Sequence, residues 1–319
     1  MKTKNELCFC YCFDENFNKQ AFTSMISLLD SVSENIKIKI IHNTSNLKTQ
    51  IPRKILNHKR LHSIESIQFK ENNYSFPNLN NSHVSEATYY RLFLPKYISN
   101  EEIIIYIDAD TVAINDPVSY IRKKIELLNN SKYSIAAYTE HTYDWLSQEH
   151  VNNKNSYPKR LNMDSNYFNA GVMIVDIKYW QDTNLQEKFI ENMKKLDQNI
   201  VQWDQDVLNS TFNGEYVELD KSINYFNNHY SKDSEEIVYL IHFLGSKKPW
   251  LTSGAFFDGS LYYHTNYRKI YNQDFHIEHK WKYASVAELL KSIINKNFFR
   301  LDYPTKYLLG IIKSLLKFN

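Results

Sequence analysis

The stretch EEIIIYIDADTVAINDP, residues 101–117, joins a strongly apolar run to a pair of aspartates. Five consecutive apolar or aromatic residues, Ile103 to Ile107, predict a buried β-strand. Asp108 and Asp110 follow directly, with one alanine between them. Two carboxylates this close repel each other unless a positive charge lies between them. The segment therefore predicts a strand that presents two carboxylates to a cation.

Strand and helix patterns alternate on the N-terminal side of this segment. The predicted elements are a strand at 7–13, a helix at 19–33, strands at 36–42 and 63–69, and a helix at 82–95. This βαβαβ succession favours an α/β fold with a mostly parallel sheet covered by helices on both faces. In such sheets ligands bind beyond the carboxyl ends of the strands. Asp14 and the aspartate pair both follow strand ends, so we expect them to share one cleft.

The second half is less regular. Its predicted elements are strands at 134–138, 167–176 and 235–245, helices at 178–196 and 203–212, and a polar loop at 151–166. The strand YFNAGVMIVD contains Gly171, and a glycine inside a strand marks either a ligand approaching the backbone or a bulge in the core. Asn169 lies just before it, and its amide can both donate to and accept from sugar hydroxyls.

Charge and cysteine content restrict the class of protein. The formal net charge is +2, which argues against a nucleic-acid partner. Residues 281–319 hold seven Lys and Arg against two acidic residues, so the basic character belongs to the C-terminal tail. Cys8, Cys10 and Cys12 alternate along one strand, which favours small core residues over a thiolate metal site. Three free thiols favour a reducing, cytoplasmic compartment.

A third group of polar residues lies in IHFLGSKKPW, residues 241–250. His242 ends a predicted strand, and with Asp108 and Asp110 it makes a ligand set suited to Mn²⁺ or Mg²⁺. The imidazole favours Mn²⁺. Gly245 and Lys248 could hold phosphate through a backbone N–H and a point charge. A second Asp-x-Asp sequence, at 204–206, is a weak signal by itself.

Six segments together resemble the retaining glycosyltransferases of family 8, which include bacterial lipopolysaccharide galactosyl- and glucosyltransferases and glycogenin. They occur in the order of that family: FDENF (13–17), ATYYRLFLP (87–95), IYIDAD (105–110), YFNAGVMIVD (167–176), WDQDVLN (203–209) and HFLGSKKPW (242–250). The resemblance implies a GT-A fold, in which a Rossmann-like sheet is joined to an acceptor-binding half. It also implies a UDP-sugar donor and Mn²⁺, with Mg²⁺ as the alternative.

The resemblance assigns roles to individual residues. It implies metal ligation by Asp108, Asp110 and His242, and it implies diphosphate contacts by Gly245 and Lys248. The residues matching the uridine and nucleotide contacts are Cys12, Asp14, Asn16, Phe17 and Ala109. Around the donor sugar the matching residues are Arg91, Asn169, Gly171, Asp204 and Gln205, of which Arg91, Asp204 and Gln205 are the expected catalytic group. Thr139 and Glu140 depart from the family, because galactosyltransferase relatives carry an acceptor-binding aspartate there.

The expected domains are a catalytic domain at 1–280 and a basic helical tail at 281–319. The catalytic domain divides into a nucleotide-sugar half, about 1–115, and an acceptor half, about 116–280. In the tail, Tyr307, Leu308, Ile311, Ile312 and Leu315 share one helix face, opposite lysines. This pattern predicts peripheral binding to an anionic membrane, with docking of the tail on the domain as the alternative.

The expected function is transfer of galactose or glucose from a UDP-sugar to a saccharide or glycolipid acceptor. We expect it to serve lipopolysaccharide or surface polysaccharide synthesis at the inner face of the cytoplasmic membrane. Alternatives are a UDP-N-acetylhexosamine donor and a non-catalytic protein that binds sugar nucleotides. Phosphoryl or nucleotidyl transfer is disfavoured because the sequence has no glycine-rich phosphate loop.

Overall fold

The computed structural model of the chain describes residues 6–71, 73–77, 84–140, 157–163, 165–245, 247–273, 275–278, 282–301 and 303–316. The strands in these ranges are β1 (Leu7–Phe13), β2 (Ile36–His42), β3 (Leu61–Gln68), β4 (Ile103–Ile107), β5 (Thr111–Ala113), β6 (Ile135–Thr139), β7 (Phe168–Asp176), β8 (Val217–Glu218), β9 (Tyr225–Phe226) and β10 (Leu240–His242).

The α-helices are α1 (Asn18–Ser31), α2 (Leu47–Gln50), α3 (Arg53–Leu56), α4 (Leu94–Tyr97), α5 (Val118–Asn129), α6 (Tyr157–Leu161), α7 (Ile177–Asp182), α8 (Leu185–Leu196), α9 (Trp203–Phe212), α10 (Asp258–Tyr271), α11 (Lys282–Ile294) and α12 (Pro304–Leu316). Short 3-10 helices occupy Glu15–Phe17, Glu86–Phe93, Asp197–Asn199, Lys221–Ile223, Asn227–His229 and Asn297–Arg300.

Seven of the strands in the described ranges form the central sheet, in the order β3-β2-β1-β4-β7-β6-β8. The strands from β3 to β4 run parallel, and β8 runs parallel to β6. Strand β7 is antiparallel to both of its neighbours, β4 and β6. The mostly parallel α/β sheet predicted from the sequence is therefore confirmed, with one reversed strand inside it.

The reversal of β7 decides which of its residues lie near the aspartate pair. Ile107 at the end of β4 pairs with Val172, and the N–H of Asp108 donates to the carbonyl of Gly171 at 2.8 Å. Because the two strands run in opposite directions, the first residues of β7 lie at the edge where β4 ends. Asn169 and Gly171 thus reach the same edge of the sheet as Asp108.

Helices cover both faces of the sheet and enclose two cores. Phe9 and Tyr11 of β1 point to the core that contains α1 and α5, because side chains alternate along a strand. The three cysteines point to the opposite core, which contains α7, α8 and α9. All three are buried free thiols, and burial raises the pKa of Cys8 to about 12. Their prediction as core residues agrees with this packing.

A small second sheet, in the order β5-β10-β9, brings a distant part of the chain to the aspartate pair. Strand β10 is antiparallel to β5, with His242 opposite Thr111. The N–H of Phe243 donates to the carbonyl of Asp110 at 3.0 Å, which extends this pairing by one residue. The pairing places the imidazole beside the two carboxylates.

Several element boundaries differ from the predictions. The helix predicted at 178–196 is divided into α7 and α8, since Asn184 between them has a left-handed backbone with φ of 53°. The strand predicted at 235–245 is reduced to β10. The helix predicted at 82–95 is a 3-10 helix followed by α4. It is capped by Ser85, and the start of the predicted helix, at Ser82, lies outside the described residues. Helix α6 replaces part of the predicted polar loop.

The C-terminal tail is helical, as predicted, but it docks on the rest of the chain. Tyr307 and Ile311 are buried against Ala255, and the Tyr307 hydroxyl donates to the Thr252 carbonyl at 3.2 Å. Two residues of the face predicted to enter a membrane are therefore occupied by protein contacts, which corrects that prediction for them. Ile312, from the same predicted face, is exposed. Among the described helices, none combines the length and the apolar character needed to cross a bilayer.

Candidate active site

Asp108 and Asp110 lie in the short turn between β4 and β5. The apolar side chains of β4 are buried in both cores, so the strand is held firmly and its end is well defined. The Thr111 hydroxyl donates to the Asp108 carbonyl at 2.9 Å and closes the turn. The sequence prediction of two carboxylates at the end of a buried strand thus matches the local structure.

His242 completes a cluster with the two aspartates. Its Nε2 atom lies 3.2 Å from Oδ1 of Asp110 and 3.7 Å from Oδ2 of Asp108. One ligand atom from each of the three residues lies within 4.8 Å of the others. Oxygen ligands with one imidazole nitrogen suit a divalent cation such as Mn²⁺ or Mg²⁺. The three residues named as metal ligands are therefore brought together.

Hydrogen bonds on the far side of His242 determine which ring nitrogen faces the carboxylates. Nδ1 lies 2.8 Å from Oδ1 of Asn224, and Nδ2 of Asn224 donates to Oδ1 of Asn169 at 2.9 Å. The N–H of Gly171 also donates to Oδ1 of Asn169, at 2.9 Å. Oδ1 of Asn224 is therefore an acceptor, and Nδ1 carries the donated proton. In the neutral ring Nε2 then presents its lone pair to the carboxylates, as in a metal site.

Arg91 links the aspartate pair to a third carboxylate. Its Nη2 lies 2.9 Å from Oδ1 of Asp108, and its Nε lies 2.8 Å from Oδ2 of Asp204. Nη1 donates to the carbonyl of Ala170 at 2.6 Å, and the guanidinium lies 4.5 Å from the ring centroid of Tyr106. Arg91 is buried in these contacts. Arg91 is therefore an internal part of the site.

The carboxylates of the site differ in their electrostatic surroundings. Burial raises the pKa of Asp204 to about 6, although Arg91 and Thr88 oppose the shift. Burial also raises the pKa of Asp108. Burial acts in the same direction on Asp110, but Lys248 and His242 hold the pKa of Asp110 well below its usual range. With His242 in its neutral form, three carboxylates share two cationic side chains, Arg91 and Lys248, so a bound cation would relieve the excess negative charge.

Lys248 lies at the border between the cluster and an open cleft. Its Nζ is 2.5 Å from Oδ2 of Asp110 and also contacts the carbonyl of Phe243. Gly245 lies in the same turn with φ of +66°, a conformation that favours glycine. Both residues line the cleft, as expected for groups that contact a phosphate.

The cleft has a volume of about 680 Å³, which lies within the range for small-molecule sites. Ten residues predicted to contact the donor line it: Cys12, Asp14, Asn16, Phe17, Arg91, Asp108, Ala109, Asp110, Gly245 and Lys248. Asp14 also caps the following 3-10 helix by accepting from the Asn16 N–H at 2.9 Å. Residues from β1, from the 3-10 helix before α4 and from the β4–β5 turn thus form one continuous surface.

The remaining predicted residues lie behind this surface. Asn169, Gly171, Asp204, Gln205 and His242 are absent from the cleft lining. The Ala170 N–H donates to Oε1 of Gln205 at 2.9 Å. Asp204 accepts from the Thr88 hydroxyl at 2.5 Å and pairs with Arg91. His242 belongs to the cluster and Gly171 packs against its ring, whereas Asn169 and Asp204 reach the cluster through Asn224 and Arg91.

Comparison with known proteins identifies the family. The sequence model described as glycosyl transferase family 8 matches residues 8–254. The chain belongs to glycosyl transferase family 8. It is therefore a glycosyltransferase, and the family expected from the six segments is confirmed.

Three bacterial proteins show moderate sequence identity to this chain. General stress protein A of Bacillus subtilis is 26% identical over 265 residues, covering 75% of this chain and 85% of that protein. The lipopolysaccharide 1,2-glucosyltransferase of Escherichia coli K12 is 29% identical over 246 residues, covering 72% and 66%. The lipopolysaccharide 1,3-galactosyltransferase of Salmonella typhimurium is 30% identical over 181 residues, covering 53% and 51%.

A solved structure supports the fold assignment. The crystal structure of the galactosyltransferase LgtC, in complex with donor and acceptor sugar analogues, superposes with a TM-score of 0.70. The match covers 83% of this chain and 96% of that one, at 18% sequence identity. The GT-A fold expected for this family 8 glycosyltransferase is therefore confirmed.

Several residues of this glycosyltransferase were missed by sequence reasoning. Asn224 orients His242, but it lies in an irregular segment without a local pattern. The Tyr106 hydroxyl donates to Oδ1 of Asp108 at 2.7 Å, although an aromatic residue in an apolar strand looks like core. The cleft lining also includes Gln20, Trp250 and Glu278. Of these residues, Trp250 could have been predicted as part of the site, because it ends the segment 242–250 that resembles the family.

Proposed function

We propose that this glycosyltransferase is metal-dependent and retaining, and that it transfers galactose or glucose from a UDP-sugar to a saccharide acceptor. The observation that carries the proposal is the cluster of Asp108, Asp110 and His242, whose two aspartates line the 680 Å³ cleft. The names of the Salmonella and Escherichia relatives support hexose transfer. We also propose the two-part catalytic domain and the boundary near residue 280.

The donor set fits a divalent cation. Two carboxylates and one imidazole favour Mn²⁺ over Mg²⁺. A cation bound there would stabilise the negative charge of the leaving diphosphate. Lys248 lies beside Asp110 and can contribute a further positive charge to the same group, while the backbone at Gly245 can approach a phosphate closely.

The residues behind the cluster favour retention without a covalent intermediate. Gln205 occupies the position that matches the family residue near the sugar, and an amide is a poor nucleophile. We therefore propose attack from the face of the leaving group, with the leaving phosphate taking the acceptor's proton. Gln205 would support the positive charge that develops on the sugar, as in other oxocarbenium-like transition states. Arg91 and Asp204 would position the donor.

We further propose that the acceptor is a bacterial surface glycan precursor and that the enzyme acts in the cytoplasm at the membrane. The tail exposes apolar side chains that do not belong to its docked face, including Leu309, Ile312 and Leu316. Lys296 and Lys306 are also exposed in the tail and would favour anionic lipid. Flotation with vesicles containing phosphatidylglycerol tests this. Replacing Leu309, Ile312 and Leu316 by serine should abolish co-flotation, and unchanged co-flotation would refute this surface.

The central experiment measures UDP release from a panel of UDP-sugars with Mn²⁺ and no acceptor. We expect slow hydrolysis of UDP-galactose or UDP-glucose, lost on chelation of the metal and restored by Mn²⁺. Asp110→Asn should lack this activity, whereas the surface variant Glu191→Gln should retain it. Preferred hydrolysis of a UDP-N-acetylhexosamine would change the assigned sugar. Binding of UDP without hydrolysis of any donor, and without transfer to saccharide acceptors, would favour the non-catalytic alternative.

A further inference from the structure

Glu140 lies at the end of β6 and points towards the residues behind the metal cluster. Its N–H donates to the carbonyl of Tyr167 at 2.8 Å, which anchors the backbone beside β7. Its carboxylate accepts from Nε2 of Gln205 at 3.2 Å and also hydrogen-bonds with the Asn169 side chain. Burial raises the pKa of Glu140, and these two hydrogen bonds oppose the shift. One largely buried carboxylate therefore contacts two side-chain amides.

The polarity of the Gln205 amide is defined at both of its ends. The Ala170 N–H can only donate, so the atom 2.9 Å from it is the carbonyl oxygen Oε1. The ionised Glu140 carboxylate can only accept, so it takes the NH₂ group. A rotated amide would place NH₂ against N–H and oxygen against oxygen. Gln205 also hydrogen-bonds with the Tyr167 hydroxyl. Without Glu140, the Ala170 N–H and this hydroxyl would still restrain the side chain, but no carboxylate would hold the NH₂ group.

The second amide starts a chain of hydrogen bonds that ends at His242. Oδ1 of Asn169 accepts from the Gly171 N–H and from Nδ2 of Asn224, so the NH₂ group of Asn169 is the donor available to Glu140. Oδ1 of Asn224 then accepts the proton of Nδ1 of His242. Every step runs in the same donor-to-acceptor direction. This series of hydrogen bonds therefore begins at the Glu140 carboxylate, which can only accept. It ends at His242, whose Nε2 lone pair is directed at Asp110.

We propose that Glu140 is a positioning residue that aligns the Gln205 amide and, through Asn169 and Asn224, the metal-binding face of His242. The part concerning turnover rests on the proposed function, whereas the part concerning metal affinity does not require transfer. Glu140 does not act as the nucleophile in this account, because its oxygens are engaged by the two amides it orients. Partners that hydrogen-bond directly to a metal ligand, as Asn224 does, typically change metal affinity or activity by about 10- to 100-fold when they are removed. Glu140 lies two hydrogen bonds further out, so its removal should have an effect near the lower end of this range.

The test measures Mn²⁺ affinity by electron paramagnetic resonance and kcat by UDP release, for Glu140→Ala and Glu140→Gln. Glu140→Ala should weaken Mn²⁺ binding and lower kcat, each by about ten-fold, the lower end of the range for direct partners of a ligand. Glu140→Gln should fall between it and the wild type, because one amide oxygen can still accept from one of the two partners. Glu218→Gln is the matched control, since that neighbouring carboxylate accepts from the Thr139 N–H at 2.8 Å and contacts neither amide.

Double-mutant cycles separate positioning from a general structural effect. The loss of Mn²⁺ affinity caused by Glu140→Ala should be largely absent on an Asn224→Ala background. Asn224→Ala already interrupts the series of hydrogen bonds between Glu140 and His242. The loss of kcat should likewise shrink on a Gln205→Ala background. Thermal unfolding of each variant establishes that it is folded, and Glu140→Gln keeps the test valid if the alanine variant does not fold.

Three outcomes would overturn the proposal. These are unchanged Mn²⁺ affinity in both Glu140 variants, fully additive effects in the Asn224 cycle, and a sugar adduct trapped on Glu140. If the wild type binds Mn²⁺ but hydrolyses no UDP-sugar and transfers none, the proposed function fails, and the affinities still decide the role of Glu140.

Discussion

The imidazole of His242 packs directly on the backbone of Gly171. A Cβ atom at position 171 would lie 2.1 Å from Cε1 and 2.7 Å from Nδ1 of His242. Glycine is therefore required at this position of β7 by the close approach of a side chain from β10. The contact explains the glycine inside the strand pattern. The bulge expected at Gly171 is also confirmed, because the pairing of β7 with β6 jumps from Met173 opposite Ala137 to Asn169 opposite Tyr138.

Gly171→Ala should displace the imidazole and weaken the metal site. Metal ligands tolerate distance errors of only about 0.2 Å, so we expect Mn²⁺ affinity to fall at least about ten-fold. Mn²⁺ titration followed by electron paramagnetic resonance checks this. Val172→Ala is the control, because the Val172 side chain lies in the core that contains α1 and α5. It should lower the free energy of unfolding by about 1–3 kcal/mol and leave Mn²⁺ affinity unchanged.

Arg91→Met should destabilise the fold strongly. The substitution leaves Asp108 and Asp204 without their shared cation, and breaking a buried ion pair costs about 3–5 kcal/mol. Arg91→Lys should recover only part of this loss. Lysine restores the positive charge, but one ammonium group cannot reproduce the forked contacts of the guanidinium. Urea unfolding measures both effects. Arg122→Met, which removes a pair with Glu34 near the surface, should cost about 1 kcal/mol or less. An equal cost at both positions would contradict this account of Arg91.

His264 should make the fold sensitive to acid. Burial lowers the pKa of His264 to about 3, while an unfolded chain has a histidine pKa of about 6.5. Between these values the unfolded chain binds one more proton, so the free energy of unfolding decreases as the pH falls. The loss attributable to His264 should reach roughly 2 kcal/mol at pH 5.

His264→Phe tests this contribution. The ring can still pack on Phe275, whose centroid lies 4.7 Å away, although the hydrogen bond to the Pro249 carbonyl is lost. The variant should be less stable at pH 7, but its free energy of unfolding should fall less steeply between pH 7 and pH 5. His229→Gln, at an exposed position, controls for removal of a histidine as such. Parallel pH curves for the wild type and His264→Phe would refute the assignment.

Tyr307 should determine whether the tail stays docked. Its ring is fully buried, with centroids 5.2 Å from Phe256 and 5.4 Å from Phe275. Tyr307→Ala should remove about 3–5 kcal/mol of packing and expose the amides of α12 to exchange. Tyr307→Phe should cost about 1 kcal/mol, since only the hydroxyl is lost. Hydrogen exchange of residues 304–316 measures both, and Leu316→Ala should leave the exchange unchanged because Leu316 is exposed.

The amino-acid sequence alone determined the longer strands of the central sheet, the class of fold and the position of the aspartate pair. Alternation along Leu7–Phe13 and the apolar run Ile103–Ile107 reflect burial on two faces of a sheet, and this burial leaves a local signature in the chain. The six ordered segments also identified the family. These features could be predicted because each depends on residues that are neighbours in sequence.

Only the tertiary structure decided which residues contact and orient the site residues, and where the tail lies. The closeness of Asn224 to His242, of Glu140 to Gln205 and of Gly171 to His242 follows from strand pairing between distant segments. The antiparallel direction of β7 likewise has no local signature. The apolar pattern of the tail fits either a membrane or a protein surface. Both environments remove apolar side chains from water, and the favourable free energy depends on the apolar area removed. The position of Ala255 and Phe275 in space selected the protein surface for Tyr307.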